Sequence, residues 1–285
     1  MLKFTLASRH ADHGTRERFF YEWSIIHVAL MLTTPSSMKL FKRYVQHFNL
    51  PQATNDMLVY PLSQEGWESY AEHWLEEYRD LLGATHNPDY VERMQPHAFG
   101  SLHFITSLTN FETVFEQKGF RSGGVKVIHF LKKDSNISQE VFSEGIRTNR
   151  ANKLRQALGE RGLIRKYVLD TALDLDAAVF KGSLFEHGDV GRYAAIETLW
   201  FDGFDEIRRL RSDPQALDAI RSSEKGLIDA ESSISMVVHE RVVFDFVTPG
   251  ESNPLPAIFN PESLEAAIDR QGYRPWEYKP DNQLK

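Results

Sequence analysis

Residues 2–30 of the chain read LKFTLASRHADHGTRERFFYEWSIIHVAL, and residues 40–46 read LFKRYVQ. Residues 125–154 read VKVIHFLKKDSNISQEVFSEGIRTNRANKL, and residues 163–169 read LIRKYVL. In both stretches a short apolar strand pattern precedes a polar turn, a helix with Thr15 or Ser138 as its N-cap, and a second strand. The similarity predicts an internal repeat of about 120 residues.

The remainder of each repeat matches in the order of its elements. We expect third strands at 57–62 and 194–201, helices at 68–82 and 205–220, and fourth strands at 100–108 and 236–246. The unit is then βαββαβ, the ferredoxin-like arrangement, whose sheet carries helices on one face only. The sequence therefore predicts an α+β protein in which two ferredoxin-like repeats pack their antiparallel sheets face to face into a dimeric-type α/β barrel.

Glycines mark the boundary between the two repeats. Gly119, Gly123 and Gly124 follow one strand pattern and precede the next, as in a linker. We predict the first repeat at 1–118, a second, degenerate repeat at 124–247, and a proline-rich C-terminal extension at 248–285.

Composition excludes several classes of function. The chain has 285 residues, no cysteine, and a formal charge of −7 from 33 basic and 40 acidic side chains. Without cysteine there is neither a thiolate metal site nor a cysteine nucleophile, and the acidic balance argues against a nucleic-acid partner. The longest apolar run is too short to span a bilayer. We expect a cytoplasmic monomer or homodimer with no membrane partner.

A constellation in the first repeat points to a family. Trp23 and His27 share one face of the first helix, and Tyr44 opens the following strand. The run FFYEWSIIHVAL followed by LFKRYVQ resembles the signature of the EthD-like family. That resemblance implies a small dimeric α/β barrel, and several such proteins act without a cofactor as lyases on aromatic polyketides. The wider superfamily includes monooxygenases, isomerases and haem enzymes, so the fold alone fixes no reaction.

The second repeat keeps only part of this constellation. The Trp23 position is matched by Gly145 and the His27 position by Asn149, whereas Tyr167 matches Tyr44. If His27 is catalytic, the chain has one active and one supporting repeat.

The candidate chemistry is proton transfer. His27 can accept a proton from a phenol or an acidic carbon and return it to the leaving group. Tyr44 would orient the phenolate or act as a second acid, and Trp23 would form part of an aromatic wall. The alternative interpretation is that His27 is a core histidine with one hydrogen bond.

Other candidates for binding the substrate lie on the first strand of each repeat and on the second strand of the second repeat. Arg9 shares a strand face with Lys3 and Thr5 and would contact an anion from inside the barrel. His129 and Tyr167 are candidate substrate-binding residues of the second repeat.

Metal and cofactor motifs are weak. The predicted helix 68–82 carries Glu72, His73, Glu76 and Glu77. His73 and Glu77 have an i, i+4 spacing, but there is no HExxH motif or evident third ligand. No GxGxxG or Walker motif is present. We expect no metal and no cofactor.

These features predict a cofactor-independent lyase, a dehydratase or decarboxylase, acting on a small aromatic or polyketide-like substrate inside the barrel. Two alternatives stay open. The first is a non-catalytic binding or accessory barrel protein. The second is a haem- or oxygen-dependent oxidoreductase in which His187 or His239 would be an axial ligand.

Overall fold

The computed structural model describes residues 1–94 and 99–248. Its strands are β1 (Leu2–Ser8), β2 (Arg43–Asn49), β3 (Ser69–Leu75), β4 (Ile105–Glu116), β5 (Val125–Lys133), β6 (Lys166–Ala172), β7 (Asp189–Val190), β8 (Ala195–Phe201) and β9 (Ile228–Asp245). Its α-helices are α1 (Arg16–Tyr21), α2 (His27–Thr33), α3 (Pro35–Leu40), α4 (Tyr78–Thr85), α5 (Pro88–Met94), α6 (Gln139–Gly145), α7 (Ala151–Leu154), α8 (Phe204–Arg211) and α9 (Pro214–Glu224). Apart from residue 248, the predicted C-terminal extension lies outside the described residues.

Eight of the described strands form one closed antiparallel barrel. The strand order is β4-β1-β3-β2 in the first half of the chain and β9-β5-β8-β6 in the second half, which is the ferredoxin-like order twice. The edge strand β2 pairs with β9, and the edge strand β6 pairs with β4, so the ring closes. The predicted α+β fold and barrel are confirmed, and the two sheets are also joined at their edges, which closes the barrel.

Two long strands make this closure. Residues 105–109 of β4 pair with β1, and residues 109–116 continue along β6. Likewise β9 pairs with β5 over its first part and with β2 over its second part. We call β4 and β9 the closing strands, since each begins in the sheet of its own half and ends in the sheet of the other.

The inside of the barrel is packed. Because side chains alternate along a strand, every second residue faces inward. Apolar inward residues from both halves form one cluster with the indole of Trp67; its members include Ala7, Tyr70, Ile105, Ile128, Phe130, Ile196, Met236 and Val238. The barrel is therefore a core rather than an open channel.

Charged side chains also lie inside the barrel and join the two halves. Nζ of Lys3 lies 2.9 Å from Oδ1 of Asp170, which belongs to β6, and 3.6 Å from Oε2 of Glu72 on β3. All three side chains are buried. Burial alone would lower the pKa of Lys3, but these two carboxylates outweigh it and raise the pKa, so Lys3 stays charged.

A second charged group completes this network. Nζ of Lys126 donates to Nε2 of His47 at 2.9 Å and lies 2.5 Å from Oε2 of Glu240. Burial, together with the neighbouring ammonium of Lys126, lowers the pKa of His47 to about 3, so this imidazole is neutral. The network thus pairs each buried ammonium with a buried carboxylate from another strand.

Helices cover the outer face of each sheet. In the first half Phe19 and Trp23 pack on Phe4 and Tyr44 of the sheet. In the second half Phe142 and its neighbours on α6 and α9 pack on a corresponding face. Each half therefore has its own core between sheet and helices, separate from the barrel interior.

The structure corrects the third strand and second helix predicted for the first repeat. Residues 69–75, predicted as helix, form β3, and the helix α4 begins only at Tyr78. Residues 57–62, predicted as a strand, follow a 3₁₀ turn at Asn55–Met57, and Tyr60 packs in the core of the second half. Their apolar side chains reflect that long-range contact rather than a place in the sheet.

The fourth strands are also longer or later than predicted. The segment 100–108 enters β4 only at Ile105, and β9 begins at Ile228, ahead of the predicted start at 236. The extra length of β4, residues 109–116, crosses to the other half, whereas the extra residues at the start of β9 pair with β5 in their own half.

We expect the substitution Lys3→Met to lower the free energy of unfolding by about 3–5 kcal/mol, because it leaves buried carboxylates without their cation. The double variant Lys3→Met/Asp170→Leu should lose less than Lys3→Met alone, since the stranded charge is also removed. Urea denaturation measures both values.

The control for this prediction is Arg208→Met. Arg208 pairs with Asp205 on the surface, where both side chains are mostly exposed, and its loss should change stability little. The proposed pairing of Lys3 with Asp170 would be contradicted if the double variant lost as much unfolding free energy as Lys3→Met and Asp170→Leu lose together.

Candidate functional site

A cavity of ≈ 140 Å³ lies between the outer face of the first half's sheet and the helices that cover it. Strands β1, β2 and β3 contribute Leu6, Ser8, Tyr44, Ala71 and His73 to its lining; helices and loops contribute Phe19, Trp23, His27, Tyr90, Met94, Phe99–Leu102, Phe104, Leu184 and Phe185. Leu102, 65% exposed, lies at its solvent side. The predicted residues Trp23, His27 and Tyr44 thus meet at one cavity, which lies outside the barrel rather than inside it as predicted.

Local sequence places His27 at this cavity. The hydroxyl of Thr15 accepts a hydrogen bond from the backbone N–H of Arg18 and caps α1. A π-helical turn, Glu22–Ile26, then joins α1 to α2, and the backbone N–H of His27 donates to the carbonyl of Glu22. The second half has the same kind of turn at Ile146–Arg150, so the turn is a feature of the repeat. The imidazole of His27 is half-buried, with its ring centre 6.3 Å from that of Tyr44.

Aromatic rings form one wall of the cavity. Trp23 stacks on Phe19 with ring centres 6.1 Å apart, and its other neighbour Phe48 lies at 4.8 Å. Phe99 lies 5.6 Å from the ring of His27. These rings offer flat apolar surfaces to an aromatic ligand.

The hydroxyl of Tyr44 is fixed by a glutamine. The side-chain amide of Gln46 donates to the oxygen of Tyr44 at 2.9 Å and to the backbone carbonyl of Trp23 at 2.8 Å. Because that oxygen acts as an acceptor, the hydroxyl proton remains able to donate elsewhere. Burial raises the pKa of Tyr44, so the phenol stays protonated and serves as a hydrogen-bond donor rather than as a base.

His73 is a cavity residue that the sequence did not identify. It was predicted on an acidic helix beside Glu72, but on β3 the two side chains point to opposite faces, Glu72 into the barrel and His73 toward the helices. The ring of His73 stacks on Tyr44 at 4.6 Å and 10°. Burial lowers its pKa to about 4, so the imidazole is neutral near pH 7.

Arg9 is not among the residues that line this cavity. Its guanidinium pairs with Asp12 at 3.0 Å near the surface, while its backbone carbonyl accepts from the N–H of Ser101 at the cavity's rim. Lys3 and Thr5, which share a strand face with Arg9, point into the barrel. There the ammonium of Lys3 is already paired with carboxylates. The role of Arg9 as an anion contact stays a prediction.

In the second half, the corresponding region is filled by an ionic cluster. Arg150 binds Glu197 through two nitrogens, at 2.7 and 2.8 Å, and the hydroxyl of Tyr167 donates to Glu197 at 2.6 Å. His129 lies with Nδ1 3.5 Å from Glu197. Although burial favours a neutral carboxyl, Arg150 and His129 lower the pKa of Glu197, so it remains a carboxylate.

This geometry corrects two correspondences between the repeats. The same interval separates the N-caps Thr15 and Ser138 and the first residues of β2 and β6. That interval matches His27 with Arg150 rather than with Asn149. It likewise matches Trp23 with Ile146 rather than with Gly145. Arg150 is fully buried, so the position that carries a histidine beside a cavity in one half carries an ion-paired arginine in the other.

The residues proposed as haem ligands do not fit a haem. His187 and His239 are both exposed, and neither lines the cavity. His239 instead stacks on Phe48 with ring centres 5.1 Å apart. A cavity of ≈ 140 Å³ accepts about one aromatic ring, far less than a porphyrin.

The described parts of the chain contain neither a cluster of metal ligands nor a helix that could span a membrane. Within residues 1–94 and 99–248, no three His, Asp or Glu side chains lie close enough together to hold a metal ion. In the same residues no helix combines the length and apolar character needed to cross a bilayer.

Comparison with known proteins gives structural neighbours only. No family model matches the chain, and no curated protein matches it. Among solved structures it is similar to a putative monooxygenase from Lactobacillus acidophilus NCFM, at 10% identity and a TM-score of 0.45 over 85% of this chain and 95% of that one. A putative monooxygenase from Fusobacterium nucleatum is 11% identical, with a TM-score of 0.48 over 85% and 93%.

A third neighbour is a mutant chlorite dismutase from Candidatus Nitrospira defluvii, 10% identical, with a TM-score of 0.45 over 83% of this chain and 91% of that one. At such identities the activities of these proteins are not transferred to this chain. The fold assignment rests on the chain's own strand order, and the EthD-like resemblance stays a prediction.

The neutral state of His73 predicts a pH dependence of stability. An unfolded histidine has a pKa near 6.5, whereas the folded ring has a pKa of about 4. Between these values the unfolded chain binds a proton that the folded chain does not, so stability falls as pH falls. In His73→Phe we expect the slope of unfolding free energy against pH, between pH 4.5 and 6, to decrease by about 1.2 kcal/mol per unit.

The control for this slope is His103→Asn, which removes an exposed imidazole and should leave the slope unchanged. Urea denaturation at several pH values provides the data. Equal slopes for wild type and His73→Phe would show that the folded protein protonates this ring as readily as the unfolded chain does.

Proposed function

We propose that the protein is a cofactor-independent lyase that acts on a small aromatic substrate by histidine acid–base catalysis. The observation that carries this proposal is the convergence of His27 and Tyr44 on one aromatic-lined cavity. A concave apolar pocket with a few polar groups is the usual form of a small-molecule site. The cavity's volume is close to that of an engineered cavity of about 150 Å³ that binds benzene, so the reacting ring would lie inside and larger substituents would extend toward Leu102.

The proposed roles of His27 and Tyr44 follow from the chemistry of an imidazole and a phenol. His27 would take the proton from the phenol or from the carbon beside the leaving group, which pushes electrons toward the leaving hydroxyl. The same imidazolium would then return the proton to that hydroxyl, which departs as water. Tyr44, which keeps its proton, would donate a hydrogen bond to the ring oxygen and orient it. The proton balance closes within one histidine, so this scheme calls for no redox partner.

A non-catalytic accessory protein is the rival interpretation. The packed interior of the barrel favours this accessory role. The cavity beside His27 favours the enzyme, because a pure packing role would fill this space with side chains. Activity with wild type and variants separates the two.

We expect wild-type protein to consume at least one compound from a panel of hydroxylated aromatics and polyketide intermediates, with EDTA present and no cofactor added. His27→Ala should reduce this turnover at least about a hundredfold, the usual effect of losing a positioned acid or base. Substrate depletion followed by chromatography measures it, and circular dichroism checks that the variant is folded.

His13→Asn is a matched control, since it removes an exposed histidine that does not line the cavity. Turnover that survives in His27→Ala would move the chemistry to other residues. Failure of wild type to consume any compound in the panel would favour the accessory protein.

A further inference from the structure

The imidazole of His73 is packed among aromatic rings, and the backbone of Phe4 also interacts with it. It stacks on Tyr44, and its ring centre lies 5.1 Å from Phe41 and 6.1 Å from Phe4. The side chain is 6% exposed, and among residues 1–94 and 99–248 its Nδ1 has no hydrogen-bond partner. Its orientation is therefore fixed by packing, while its capacity to form hydrogen bonds is not fully used.

An unused polar group inside a protein is costly. Leaving a buried donor or acceptor without a partner loses the hydrogen bond that water would have supplied. Native structures commonly provide a partner from protein, ordered water or ligand. Because His73 lines the cavity, a molecule in that cavity is positioned to reach its ring.

The cavity also lacks a counter-charge for an ionic ligand. None of its described lining residues is a lysine, arginine, aspartate or glutamate. Transferring a carboxylate from water into such a space without a cation is strongly unfavourable. A neutral molecule with one polar group matches this lining better than an aromatic acid does.

We propose that His73 is the residue that binds the substrate's hydroxyl, and that the substrate reacts as a neutral, single-ring phenol rather than as an aromatic carboxylate. This inference deepens the proposed function and rests on it. The phenol ring would lie among the aromatic side chains, with its oxygen between the imidazole of His73 and the hydroxyl of Tyr44. His73 is thus a binding residue that selects for the hydroxyl group, while His27 moves the proton.

Equilibrium binding tests this selection without any knowledge of the reaction. Phenol and toluene have the same size and differ in one polar group, and benzoate adds a charge. NMR titration of the full chain with each compound gives the dissociation constants. In wild type, phenol and toluene should both bind, and benzoate should bind at least about tenfold more weakly than phenol.

In His73→Phe we expect the affinity for phenol relative to toluene to fall at least about tenfold, because the hydroxyl then lacks its partner. Toluene reports any change in cavity shape, so the ratio isolates the hydrogen bond. His73→Gln, which keeps an amide able to donate and accept, should retain most of the phenol preference and serves if the phenylalanine variant does not fold.

Tyr78→Phe is the matched control, since it removes a tyrosine hydroxyl that does not line the cavity and should leave the ratio unchanged. If phenol and toluene bind wild type and His73→Phe with the same ratio, the role of His73 is overturned while an aromatic site remains. If neither compound binds wild type, both this inference and the proposed aromatic substrate fail. Benzoate binding as tightly as phenol would overturn the neutral-ligand assignment.

Discussion

The hydrogen bonds that the closing strands β4 and β9 make with the opposite half are the constraint on which the other features depend. They remove both free edges of each four-stranded sheet and shut water out of the barrel. Once water is excluded, the buried ammonium groups of Lys3 and Lys126 need carboxylates in fixed positions. The carboxylate that pairs with Lys3 is Asp170 on β6, in the other half of the chain. These ion pairs form only when the strands are in register, so strand pairing and charge pairing specify the same arrangement.

Local patterns in the sequence were enough to predict the fold class and to bring Trp23, His27 and Tyr44 together. Those signals are caps, helical spacing and a repeated strand, all of which act over a few residues. The failures concern contacts between distant parts of the chain. The sequence around Glu72 and His73 resembles a solvated helix. In the structure it is a strand, in which Lys3, far away in sequence, neutralises Glu72 inside the barrel. The sequence around Tyr60 resembles a strand, because the local pattern does not reveal that Tyr60 packs in the core of the second half.

The two halves share a backbone plan but use the space between sheet and helices in different ways. Around Tyr44 that space holds a cavity with two histidines, while around Tyr167 it holds Arg150 bound to Glu197. Both tyrosines are buried, yet one hydroxyl receives a hydrogen bond from Gln46 and the other donates to a carboxylate. A hydrogen-bonded ion cluster rigidifies its surroundings, whereas a cavity gives up packing contacts.

Joining both halves in one chain has a consequence for how such a barrel evolves. In a barrel made from two identical chains, any substitution appears in both halves, so a change that opens a cavity weakens the assembly twice. Here a substitution at the position of His27 leaves Arg150 untouched. Selection can therefore act on one half for chemistry and on the other for robustness, and the trade-off between stability and activity is divided between two parts of one molecule.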